Sequence, residues 1–347
     1  MNMKEYPDRI ASLDMLEDLL STPTSGSVKM FSGIEGDIMF LGIGGKIGPS
    51  LASMARRACE EAGVEKRMYG VALFESEEQR KQLERIGIET FHGDLLDPDF
   101  IHSLPKVRNV YFLAGMKFGS EENLSLTWAV NSYMPALVAE YYKASNIVAF
   151  STGCVYPLVS VESGGSLESD APGPVGEYAQ SCLGRERMFE YGSKQHGTKV
   201  CLIRLNYSVE LRYGVLVDIA LNVKNQMPID LSMGYFNVIW QGDVNDMVLR
   251  SLEICESPAK ILNITGPEIL SVRQVAKAFG KLFNTEPEFV NEEARTALLN
   301  NSEQAFQLFG HPKVTTGQII KWIAGWISEG RELLGKPTHY EVRDGKY

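Results

Sequence analysis

The chain has 347 residues, 44% of them hydrophobic, and its 34 Lys and Arg face 44 Asp and Glu for a formal charge of −10. That length holds one large α/β unit or two modest domains around a substantial core. The acidic balance, with no basic block, argues against a nucleic-acid partner held through its phosphates, and no apolar run reaches the length of about 18 residues that a membrane span requires.

The first predicted element is "SLDMLEDLL", 12–20, where apolar residues at 13, 15, 16, 19 and 20 follow Ser12 as cap and the helix ends before Pro23. Residues 1–36 read as a helical extension without the apolar run of a signal peptide, so the expected location is cytoplasmic. From 37 onward short apolar runs at 37–43, 68–74, 109–114, 146–151 and 199–205 alternate with segments of helical period. Such alternation predicts an α/β protein with a parallel sheet covered on both faces. After 206 the rhythm loosens into mixed strand and loop. Helices are then predicted at 243–255, 271–283, 293–300, 302–309 and 316–334, as a smaller lobe interleaved with the first. The last segment, 336–347, is polar and aromatic without a helical period. It can pack on its own chain or on a second copy, which leaves a homodimer open.

Between the first run and the helix that begins near Pro49 lies "GIGGKIG", 42–48. Glycines at a strand-to-helix junction permit a tight turn and a close backbone approach, so Gly42, Gly45, Lys46, Ile47 and Gly48 are expected to hold a pyrophosphate on exposed amides and the helix N-terminus. The second run ends at Glu75, where a carboxylate would accept the ribose hydroxyls and repel a 2′-phosphate, favouring NAD over NADP. In "EYAQSCLGRE", 177–186, Tyr178 and Cys182 fall one helical turn apart, which sets a thiol beneath a phenol. The cysteines (59, 154, 182, 201, 255) show no CxxC and the five histidines no HExxH, so neither a disulfide framework nor a metal site is expected.

The order of these motifs resembles the extended short-chain dehydrogenase/reductase family of NAD-dependent epimerases and dehydratases. Gly42, Gly45 and Gly48 match its glycine loop, and "FHGDLLD" (91–97) is similar to the strand end whose aspartate, here Asp94 followed by Leu95, contacts adenine. "VYFLAGMKFG" (110–119) resembles the turn over the nicotinamide ribose, with Leu113, Ala114 and Gly115 in place, and Asn131 matches the family's helix asparagine. "VAFSTGCVYP" (148–157) is similar to the SS-x-x-VYG strand, and "EYAQSCLGRE" occupies the place of YxxSK-x-x-x-E with Cys182 where the lysine belongs.

The resemblance implies a Rossmann-type doubly wound sheet over 37–205 with a smaller C-terminal α/β substrate lobe over 206–335. It implies Tyr178 as proton carrier and Thr152 as the hydroxyl that orients the substrate oxygen. Lys117, on the loop after the fourth strand, is the expected source of the missing charge; Arg185, seven residues past Tyr178, lies roughly 10 Å further along the helix axis and is a weaker candidate. Arg212, Arg250, Arg273 and Arg295 follow no recognisable diphosphate-clamping spacing. The implied function is NAD-dependent oxidoreduction or epimerisation at a carbinol of a sugar, sugar acid or nucleotide sugar. The alternative is an NAD(P)-binding sensor or scaffold with lost or attenuated catalysis, for which Cys182 speaks.

Overall fold

The computed structural model describes residues 6–346 apart from Phe118 and Glu121, so residues 1–5 of the extension and Tyr347 of the tail lie outside it. Its central sheet has β1 (Ile38–Leu41), β2 (Met68–Ala72), β3 (Ile88–His92), β4 (Asn109–Phe112), β5 (Asn146–Thr152), β6 (Val200–Leu205) and β7 (Lys260–Ile264). All neighbours pair in parallel, in the order β7-β6-β5-β4-β1-β2-β3. The order reverses between β1 and β4, and their C-terminal ends open the crevice where a doubly wound sheet binds its ligand.

Every residue of β1, β2 and β4 is buried, as expected of strands covered on both faces. Alternate side chains serve two cores. Phe40, Tyr111, Val148 and Ile203 face the helices Ser25–Gly33, Gly48–Ala62 and Gln241–Arg250, while Met39, Val110, Ile147 and Leu202 face Met134–Tyr141 and Gly176–His196. A further core gathers the helices Val215–Lys224, Val272–Phe283 and Thr316–Ser328 around Phe236 and Trp240. Leu16 and Leu20 of the N-terminal extension belong to this core, and Met30 and Phe31 of the second helix pack on the sheet, so the extension is part of the folded body.

Several predicted elements are corrected. Residues 260–264, which the resemblance sets in the substrate lobe, are β7, paired with β6 over Lys260–Ile264 against Cys201–Leu205. The helix predicted over 293–300 does not form; Thr296–Ala297 is extended and pairs antiparallel with Val159–Ser160. The last helix stops at Ser328 instead of 334. The helix predicted from 243 begins at Gln241 after Trp240, and the Asp243 carboxylate in its first turn accepts from Lys313 N at 3.0 Å and Val314 N at 3.2 Å. Burial raises the Asp243 carboxyl to about 6, although those two amides act in the opposite sense.

Candidate active site

The chain leaves β1 through Gly42 at φ 89°, a conformation that glycine adopts without strain, and a Cβ there would lie 2.5 Å from the Ala114 amide nitrogen. At Gly48 a Cβ would stand 2.1 Å from the Ile43 carbonyl oxygen. These two glycines serve the fold of the loop itself. Gly45 differs: its added Cβ would meet only the Gly42 carbonyl, at 3.6 Å. The helix Gly48–Ala62 then starts with Pro49 in its first turn and no side-chain cap on its amides. An uncapped helix start behind an open glycine suits an anion held on backbone N–H groups.

Around this loop the predicted contacts take different positions. Gln79 donates from Nε2 to Gly44 O (2.8 Å) and accepts from Glu75 N (3.2 Å), clipping the end of β2 to the loop. The Glu75 side chain is 83% exposed and lies 3.9 Å from Lys336 Nζ. Asp94 accepts from Leu96 N at 2.8 Å in the turn after β3, with Leu95 buried beneath it. Leu113 donates its amide to Leu41 O at 2.8 Å, which carries β4 into the Ala114–Gly115 turn beside Gly42. Lys46 reaches away from the loop: Nζ is 3.4 Å from Ser208 O and 4.2 Å above the Tyr213 ring centroid. Burial lowers its ammonium to about 8, with Arg212 and Lys117 adding to the effect and Glu210 and Asp218 opposing it.

Asn131 sits in a π-helical turn, Ala129–Tyr133, a widened turn of the kind that recurs at functional sites. Its Oδ1 accepts from Met116 N (2.9 Å) and Arg185 Nη2 (2.6 Å), and its Nδ2 donates to Met116 O (2.9 Å) and Ser181 Oγ (3.0 Å). The fully buried amide thus ties the loop after β4 to the helix Gly176–His196. Its hydrogen-bonding capacity is taken up by protein groups, so it braces the site.

β5 ends at Thr152, whose hydroxyl oxygen accepts from Cys154 N at 3.2 Å. The hydroxyl proton remains available to a second partner. Tyr178 lies in the first turn of its helix, and its hydroxyl shares a hydrogen bond with the Cys182 thiol one turn on, as the spacing predicts. Burial holds the phenol well above its ordinary range, Cys182 and Cys154 add to this, and the Arg185 guanidinium opposes it. The Cys182 thiol is itself pushed up to about 11 by burial, with Arg185 again opposing. Lys117, whose Nζ is 3.3 Å from Thr338 O, feels Cys154, Asp218 and Cys182, and burial lowers its ammonium.

Beneath these groups runs a buried polar network that sequence reading missed. Glu186, fully buried, takes two hydrogen bonds from Arg204, Nε to Oε1 at 2.9 Å and Nη2 to Oε2 at 2.7 Å, and one from Ser151 Oγ at 2.6 Å. Arg204 lies over the Tyr156 ring at 4.6 Å, and Tyr156 donates to Asn263 Oδ1 at 2.9 Å. The ends of β5, β6 and β7 are thereby locked to the helix that carries Tyr178. The arginines of the smaller lobe are mostly spoken for: Arg212 pairs with Glu17 and Glu210, Arg250 with Asp246, and Arg273 with Glu293, while Arg295 is exposed.

The tail folds back over its own chain. Thr338 donates to Asp218 Oδ2 through both N (2.8 Å) and Oγ1 (2.5 Å), Tyr340 is buried against Phe236, and Arg343 donates to Ser232 O and to Thr296 O and Oγ1. Gly345 packs on Val175 and Gly176, at the start of the tyrosine helix. From Lys336 near Glu75 to Gly345 the segment therefore spans from the end of β2 across the smaller lobe to the helix of Tyr178.

The sheet order and the glycine loop at the strand-to-helix junction define a Rossmann-type, doubly wound α/β fold. Residues 38–209 match the model of the NAD dependent epimerase/dehydratase family. Solved structures agree in fold. UDP-glucose 4-epimerase from Thermus thermophilus, in complex with NAD, is 21% identical with a TM-score of 0.66, over 83% of this chain and 97% of that one. UDP-glucose 4-epimerase from Thermotoga maritima is 17% identical with a TM-score of 0.70, over 85% and 99%. DesIV, a dTDP-glucose 4,6-dehydratase from Streptomyces venezuelae with NAD and TYD bound, is 16% identical with a TM-score of 0.69, over 84% and 97%. No curated protein sequence matches the chain.

Proposed function

We propose that the protein is an NAD-dependent oxidoreductase or epimerase acting at a carbinol of a sugar, sugar acid or nucleotide sugar. One observation supports this reading: the Ala114–Gly115 turn touches the glycine loop on one side, where a Cβ on Gly42 would stand 2.5 Å from Ala114 N, and the helix of Tyr178 on the other, where a Cβ on Gly115 would stand 2.4 Å from Arg185 Nη2. The residues fit a dinucleotide, since Gly45 is open, the helix behind it is uncapped and Gly42 lies against the Ala114 turn. When bound, that group supplies the hydride chemistry. The backbone amides of Gly45, Lys46, Ile47 and Gly48 would hold its diphosphate, Asp94 with Leu95 its adenine, Glu75 its ribose hydroxyls, and the Leu113–Gly115 turn its reactive half.

In this reading the protein itself moves one proton. Thr152 donates its hydroxyl hydrogen to the substrate oxygen and so fixes the carbinol against Tyr178, which exchanges the hydroxyl proton. Lys117 offers positive charge to the substrate side of the crevice. Lys117→Met is expected to lower turnover at least tenfold while leaving dinucleotide affinity within about threefold, as measured by steady-state kinetics and calorimetry; full turnover would remove that role.

A second reading, a dinucleotide-binding sensor or scaffold with attenuated catalysis, is favoured by the phenol, which burial keeps well above its ordinary range, and by the thiol at position 182. The two separate in one experiment. Purified protein is titrated with NAD and then incubated with sugars, sugar acids and nucleotide sugars while reduced cofactor is followed by absorbance. Binding with turnover supports the enzyme, binding without turnover on any of them supports the sensor, and absence of binding removes both.

A further inference from the structure

Cys182 has no charge to lend Tyr178, yet a cation does stand on the same helix. Arg185 is only 6% exposed, and its guanidinium donates from Nη1 to Phe150 O at 2.9 Å and from Nη2 to Asn131 Oδ1 at 2.6 Å. Both acceptors are neutral, and Nε has no hydrogen-bond partner among the described residues. The adjacent carboxylate, Glu186, is held by Arg204. Among the described residues, then, no carboxylate forms an ion pair with the buried Arg185 guanidinium. A buried charge without a counter-charge is costly, so its retention points to an anion that shares it at some stage.

The surroundings are arranged for that guanidinium. A Cβ on Gly115 would stand 2.4 Å from Nη2, and Gly115 does not have the positive φ that would by itself call for glycine. The glycine of the Ala114–Gly115 turn thus makes room for the arginine. A helical side chain lies back over the turn before its own Cα, which brings Arg185 toward Ser181 and Cys182 and not away from them. Asn131 completes the link by bonding Arg185 on one atom and Ser181 on the other, while Ser181 Oγ donates to Tyr178 O at 2.8 Å.

We propose that Arg185 is a positioning residue that supplies, from beneath the helix, the fixed positive charge against which Tyr178 releases its proton. The groups facing the phenol are Cys182 and Arg185 from its own helix and Cys154 from the turn after β5. Lys117 faces the two thiols from the loop after β4, and Glu186 reaches Cys182 from one turn further on. Of the groups acting on Tyr178 directly, the thiols disfavour the phenolate and Arg185 favours it. The inference rests on the reading of Tyr178 as proton carrier, but it is tested without cofactor or substrate.

A fluorinated tyrosine at position 178, which ionises nearer neutrality, allows the phenol to be titrated by absorbance in the full-length protein. Arg185→Gln should raise the midpoint by about one pH unit, and Arg185→Lys should restore most of it. A folded Arg185→Gln protein with an unchanged midpoint overturns the proposal. So does an Arg185→Lys midpoint as high as that of the glutamine variant. Should Arg185→Gln fail to fold alone, the same removal is read in a Cys182→Lys background, where the single and double variants should differ by about one pH unit and equal midpoints overturn it. Failure to bind NAD would remove the proposed function and leave this titration unaffected.

Discussion

Arg204→Met will destabilise the protein by about 3–5 kcal/mol, because it leaves a buried carboxylate without its partner. Glu186 is fully buried, and of its three hydrogen bonds two come from the Arg204 guanidinium. Met fills much the same volume, so lost packing is a small part of the effect, and Ser151 alone remains to solvate the charge. The remedy available to the variant is a proton on Glu186. A group that binds its proton more tightly folded than unfolded contributes stability at low pH that is lost as the pH rises, so the deficit should shrink toward acid pH and grow toward neutrality. Chemical denaturation across pH reads both effects. The double variant Arg204→Met with Glu186→Leu should recover most of the stability, because replacing a whole buried pair by apolar groups is often near neutral. A single variant within about 1 kcal/mol of the parent would show that the pair is not part of the cooperative core.

Gly45→Ala should separate binding from folding. A methyl there would meet only the Gly42 carbonyl at 3.6 Å, an ordinary contact, so the melting temperature should stay close to that of the parent. If the loop holds a diphosphate as proposed, the methyl would project into its approach, and NAD affinity should fall at least tenfold, about 1.4 kcal/mol. Gly48→Ala makes the contrast, since its Cβ would stand 2.1 Å from the Ile43 carbonyl oxygen and must move backbone. That variant should lose stability and affinity together. Unchanged NAD binding by Gly45→Ala in calorimetry would place any bound dinucleotide elsewhere.

What could be read from the sequence was local chemistry. The glycine loop, the largely apolar runs of β1, β2 and β4, and the cap at Ser12 depend on neighbours in the chain, and they form as expected. β3 was harder because "IETFH" at the sheet edge is half exposed and carries neither a clean alternation nor an apolar run. The helix expected over 293–300 follows from the propensities of "EARTALL", which pairing with Val159–Ser160 overrides. Arg185 looked too distant from Tyr178 along the helix axis, because its role depends on the cavity at Gly115 and on Asn131, 54 residues away. The Glu186–Arg204 pair joins a helix to a strand and leaves no spacing to recognise. The tail could not be assigned because its partners, Asp218, Phe236 and Thr296, are scattered through the lobe.

That tail also bears on timing. Its Thr338 carbonyl accepts from the Lys117 ammonium, and its glycine at 345 abuts the first residues of the tyrosine helix. A large solute that engages the Lys117 ammonium has to break its hydrogen bond to Thr338, and its arrival is then expected to follow how often the strap peels away. Saturation of the observed association rate at high ligand concentration, with a plateau matching the amide exchange of Thr338 and Tyr340, would be the signature of such a gate.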